Sequence, residues 1–173
     1  MAVYALQDLV PDIHPDAFVH PDATVIGAVT IGADASIWPQ AVIRADYGRI
    51  TIGARTSIQD GTVVHVPGGG LETRIGADCV VGHLAHLEGC TIEDDVLIGS
   101  GSVVLHRVVV HSGAVVGANA VVTNDTVVPS GAMALGVPAR VKEGLVPPGT
   151  LEAPVRAYVE NGRRYRQGLR RLD

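Results

Sequence analysis

Large aromatic side chains are almost missing from this sequence: one Trp, one Phe and four Tyr make up 3% of 173 residues. A wide core filled by rings is therefore excluded. The 47% of hydrophobic residues are mostly Val, Ile and Ala, which suit a narrow interior lined by small and β-branched side chains. Two cysteines, Cys79 and Cys90, are too few for a disulfide framework and point to a reducing compartment. No apolar run approaches the roughly 20 residues needed to span a bilayer. The start, "MAVYALQDLV", lacks the charged head and long apolar centre of a signal peptide, so a cytoplasmic protein is expected. Net charge is −5 and the body of the chain has no basic stripe, which argues against nucleic-acid and membrane partners.

What is present is a six-residue period. From Ile13 an aliphatic residue recurs at Val19, Val25, Ile31, Ile37 and Ile43, then at Ile52, Ile58 and Val64. It resumes at Ile75, Val81 and Leu87, and runs from Ile92 through Ile98, Val104, Val110, Val116 and Val122 to Val128. A small residue usually sits two positions earlier and a glycine often follows, as in "IGADAS" and "VGANAV". Strand side chains alternate with a period of two, so the aliphatic and the small residue both face inward. Neither a helical period nor a heptad fits. A hexad repeat predicts a parallel β-helix, an all-β solenoid of about six coils over residues 1–149. Residues 150–173 carry Val155, Tyr158, Val159, Tyr165 and Leu169 at helical spacing and are expected to form a C-terminal α-helix against the prism. Its arginines, Arg163, Arg164, Arg166, Arg170 and Arg171, read as a solvated face.

Three hexads per coil place every third side above the last, about 4.8 Å apart. Arg44, His65 and Glu88 should then form an outward ladder on successive coils, and Asp60 should stack on His83. His86 interrupts an outward column of Val42, Val63, Val103 and Val121. Exposed valines on a prism face are best explained by burial against another subunit. If three prisms pack about a threefold axis, the His65 region of one could face His83 of the next and complete a metal site between chains. His14, His20, His106 and His111 read as surface residues. Cys79 points inward as a small core residue, whereas the position of Cys90 is open.

The segments "IRADYGRITIGARTSIQDGTVVHV", "RIGADCVVGHLAHLEGCTIEDDVLIGSGSVVL" and "GVPARV" resemble the γ-class carbonic anhydrase-like proteins of the left-handed β-helix superfamily, over nearly the whole chain. The resemblance implies a left-handed coil and a homotrimer with zinc, or another divalent metal such as Fe²⁺ or Co²⁺, between subunits. It also implies that Arg44 and Asp46 support the interface and site, that Gln59 and Asp60 orient water or bicarbonate, and that His65 and His83 are metal ligands from neighbouring chains. The family's third histidine falls where this chain has Glu88, and His86 stands where an aliphatic residue is usual. Three outcomes are open: Glu88 replaces the histidine as an oxygen ligand, His86 is recruited with Glu88 behind it, or the metal is lost and Glu88 pairs with Arg44 or His65.

The activity implied is hydration of carbon dioxide by a metal-bound hydroxide, with only Glu72 in the "PGGGLET" loop to export protons. The alternatives are a metal-dependent thioesterase or hydrolase, a hexapeptide acyltransferase with a histidine as general base and no metal, or a trimeric scaffold whose site has decayed.

Overall fold

The computed structural model describes residues 2–173. The hexads fold as expected: short strands pair in parallel with their equivalents one turn on, and wind into a triangular prism with three walls. The first wall stacks the inward residues Val3, Val25, Ile43, Val64, Leu87, Val104 and Val122. Ile13, Ile31, Ile52, Ile75, Ile92, Val110 and Val128 stack on the second. The third carries Val19, Ile37, Ile58, Val81, Ile98, Val116 and Ala134.

Each wall thus has seven rungs, one more than the six coils expected. Val3 and Ala134 supply the difference. Val3 lies ten residues before Ile13, outside the strict spacing, and alanine at 134 carries no aliphatic signal. Thr24–Ile31 and Val42–Ile52 run unbroken from the first wall into the second, so the extra residues after Ile43 widen a corner without leaving the sheet. A short antiparallel strand, Arg140–Lys142, closes the last rung of the third wall.

Almost every inward aliphatic is fully buried. Small residues share the interior with them because three walls leave little room: Ala23, Ala41, Thr62, Ala85, Ser102 and Ala120 stack on one another. Thr62 satisfies its hydroxyl by donating to the Gly82 carbonyl at 2.8 Å. Ser102 Oγ is buried with no partner among the described residues, and an unpaired buried hydroxyl costs on the order of 1–3 kcal/mol. Ser102→Ala is accordingly expected to raise stability by about 1 kcal/mol, read as a higher denaturant midpoint at unchanged slope; a fall would contradict this.

Both cysteines are buried and free. Cys79 faces inward as expected, and Cys90 does so too. Burial pushes both thiols up to about 12, which makes them poor nucleophiles.

The C-terminal helix spans Glu152–Gly168. It lies on the third wall, where four of the six aromatic residues meet. Phe18 and Trp38 from the wall stand 5.5 Å apart between ring centres, and Trp38 takes Tyr165 at 5.1 Å and Tyr158 at 6.0 Å from the helix. The Trp38 indole N–H is shared between Ser57 and Ser36. Gly162, a weakness by helix propensity, is buried where a Cβ would stand 3.4 Å from Ser36 Cβ, so the missing side chain lets helix and wall approach. Two of the arginines expected to be merely solvated clasp the helix down: Arg163 makes a two-pronged pair with Asp34, and Arg166 reaches Asp16 and the Pro15 carbonyl. No helix among the described residues is long and apolar enough to cross a membrane.

Candidate functional site

The stacking rule brings the first cluster together. Arg44 pairs with His65, and His65 with Glu88, in consecutive rungs of the first wall. His65 Nδ1 lies 2.9 Å from Glu88 Oε1, and its Nε2 lies 3.2 Å from Asp46 Oδ1. Asp46 in turn accepts from Arg44. The imidazole is held between two carboxylates, and can donate to both only with a proton on each nitrogen. Glu88 and His65 thus pair within one chain.

Glu88 gathers two further histidines. His86 Nε2 stands 3.3 Å from Glu88 Oε2, and His106 Nε2 stands 3.5 Å from the same oxygen. His106, expected to be an ordinary surface residue, thus belongs to the cluster. It sits at a corner one rung on, past the end of the Val103–Val104 strand, where column counting does not reach. Burial pushes the Glu88 carboxyl up, but hydrogen bonds from His65, His86 and His106 outweigh that and hold it below its ordinary value. Asp46 behaves alike: burial raises it, while its own backbone N–H, His65 and Arg44 bring it down. A carboxyl whose folded value is lowered stabilises the fold above its unfolded value and loses that contribution as pH falls through the folded one. Glu88→Gln should therefore flatten the acid side of the stability–pH curve, below about pH 4.5. An acid limb as steep as that of the parent protein would contradict this.

The second cluster is a dyad at the corner that follows the third wall. Asp60 and His83 occupy consecutive rungs, and His83 Nδ1 lies 3.0 Å from Asp60 Oδ2. Both side chains are about half exposed, 52% for His83 and 48% for Asp60. Nε2 of His83 makes no hydrogen bond among the described residues. Gln59, expected to orient water or bicarbonate beside Asp60, is buried at 4% exposure. Burial and the Asp60 charge raise the Tyr158 hydroxyl, which places the helix within electrostatic reach of this corner. No hydrogen bond or ion pair among the described residues joins the dyad to the Glu88 cluster.

Among the described residues no group of three or more His, Cys, Asp or Glu is arranged to hold a metal ion within one chain. Around Glu88 the carboxylate oxygens and imidazole nitrogens face one another. Between the clusters runs the outward column Thr24, Val42, Val63, His86, Val103 and Val121, as expected, with Val63 36% exposed.

The family model described as bacterial transferase hexapeptide (six repeats) matches residues 11–45, 72–106 and 89–124, half of the chain. The chain belongs to the bacterial transferase hexapeptide family. Its fold is the left-handed parallel β-helix: the period called for the parallel coil, and the resemblance implied its hand. A crystal structure from Bacillus cereus assigned as an acetyltransferase is 32% identical, with a TM-score of 0.91 over 95% of this chain and 96% of that one. A hexapeptide transferase family protein from Anaplasma phagocytophilum is also 32% identical, with a TM-score of 0.88 over 95% and 98%. Carnitine operon protein CaiE of Escherichia coli K12 is 39% identical over 113 residues, 64% of this chain and 56% of CaiE. The chain therefore spans little more than half the length of the curated relatives it matches.

Proposed function

We propose that this hexapeptide-family protein transfers an acyl group from a thioester, such as an acyl-coenzyme A, to an amine or hydroxyl acceptor, with His83 as general base. The observation that carries the reading is the Asp60–His83 dyad. An ionised Asp60 can only accept, so Nδ1–H donates to it, and in the neutral imidazole Nε2 is then the free acceptor on a half-exposed ring. That is the tautomer a general base needs. Nε2 would take the acceptor's proton as its nitrogen or oxygen attacks the thioester carbonyl, and the thiol would leave with a proton returned by His83.

The names carried by the relatives at 32% identity favour this over the carbonic anhydrase activity that the sequence resemblance implied. The dyad lies half exposed on an outer corner, which fits a site completed by a second copy. The outward valine column would bury against that copy, and a homotrimer is the assembly proposed, with His83 of one subunit facing the His65–Glu88 cluster of the next. A second reading rests on the convergence of His65, His86 and Glu88. In it, these donors and the neighbour's His83 hold a divalent metal for thioester hydrolysis or carbon dioxide hydration.

The test is thiol release from acetyl-, butyryl- and octanoyl-coenzyme A, with and without amine or hydroxyl acceptors, on chelator-treated and zinc-loaded protein. Acceptor-dependent release that survives chelation supports the transferase. Release that appears only with about one zinc per chain would replace it with the metal reading, and no turnover in either form would leave a scaffold.

A further inference from the structure

The corner residue after His83 is out of place by every local criterion. Leu84 has φ +57° and is 71% exposed. The left-handed region is costly for a residue with a bulky side chain, and an exposed leucine gains nothing from the hydrophobic effect. The residues stacked with it on the same corner are Gln40, Gly61, Gly101 and Asn119. All share the left-handed conformation, and all are types that carry it at less cost or are polar enough for solvent.

Leu84 stands between the two glycines. A Cβ on Gly61 would come within 2.6 Å of Leu84 Cδ2, so the leucine lies across the bare backbone of the rung before it. The result is a short apolar shelf over Gly61, bordered on the Gly101 side by the Asn119 carboxamide and beginning one residue from the base.

We propose that Leu84 is the specificity-determining residue for the acyl chain: the shelf over Gly61 and Leu84 takes the alkyl part of the acyl group. This deepens the transferase reading and rests on it. With the thioester carbonyl near His83 Nε2, the next residue, Leu84, offers an alkyl chain of several carbons an exposed apolar side chain. Outlying backbone conformations are tolerated where function uses them, and here the strained residue adjoins the dyad.

The experiment compares wild type, Leu84→Gly and Leu84→Asn for kcat and KM with acetyl-, butyryl- and octanoyl-coenzyme A. Gln40→Gly, on the same corner two rungs before Leu84, serves as control. The wild-type preference for octanoyl over acetyl, as a ratio of kcat/KM, is expected to fall about tenfold in both Leu84 variants, carried mainly by KM. It should not change in the control. Leu84→Gly should also melt higher than Leu84→Asn, since glycine takes this φ without strain.

An unchanged ratio in active Leu84 variants overturns the inference and leaves the transferase reading standing. So does an unchanged ratio with a lower assembly mass in sedimentation, which would make Leu84 a subunit contact. Failure of the wild type to turn over or bind any of the thioesters removes both.

Discussion

Replacing His83 with Asn is expected to lower acyl transfer by a factor of about 10²–10⁴, the usual contribution of a positioned general base. Asn keeps much of the shape of the ring and can still accept from solvent, but it cannot take up a proton at neutral pH. Asp60→Asn should cost less, about 10–100-fold. It leaves the ring in place but removes the charge that fixes the Nδ1–H tautomer, much as outer partners orient ligating or catalytic imidazoles elsewhere. The order of the two losses matters: an Asp60 variant as inactive as the His83 variant would give the carboxylate a direct role in the chemistry. Equal circular dichroism and melting for both variants separates these effects from unfolding. His83 and Asp60 are both half exposed on an outer corner, so neither substitution disturbs the core.

Ile58→Ala should destabilise the protein by about 2–5 kcal/mol, the range for deleting a buried Ile side chain to Ala. Ile58 is fully buried in the third wall, between Ile37 and Val81 on the adjoining rungs. The walls cannot close over the gap, because each rung is fixed by its hydrogen bonds to the next and the spacing between them is set. The loss is read as a lowered denaturant midpoint in chemical unfolding, and a change below about 1 kcal/mol would mean that the prism relaxes around the cavity. Gln59, the next residue, is also buried at 4% exposure. Activity measured at equal folded fraction should therefore distinguish a general loss of the third wall from a specific effect on the neighbouring dyad.

Much of this arrangement is legible in the sequence because a solenoid turns distance along the chain into distance in space by a simple count. The inward aliphatics give the walls, and one step of a full coil from Arg44 to His65 to Glu88, or from Asp60 to His83, gives the outward pairs that the registers contain. The count fails where the chain leaves the strands. His106 reaches Glu88 from a corner, and corner side chains splay at angles that the strand period does not encode. The Val3 rung is hidden by irregular spacing, and the Ala134 rung by the small size of its side chain. The helix is visible in its spacing, but the role of Gly162 is not: only the approach to Ser36 and Phe18 explains a glycine there.

The chemistry is less legible than the geometry. Glu88 in place of the histidine that the anhydrase resemblance implied left its role open. Within a single chain Glu88 is a carboxylate hydrogen-bonded to two imidazoles and 3.5 Å from a third. What the next subunit adds to the exposed dyad and to the valine column depends on an assembly that the sequence of one chain specifies only indirectly.

The most direct measurement is acceptor-dependent thiol release from acetyl-coenzyme A by the chelator-treated protein, wild type beside His83→Asn, with zinc content recorded on the same samples. Turnover by metal-free wild type that falls by about two orders of magnitude or more in the variant is the predicted result. Turnover that vanishes on chelation and returns with zinc, or that survives unchanged in His83→Asn, would contradict it.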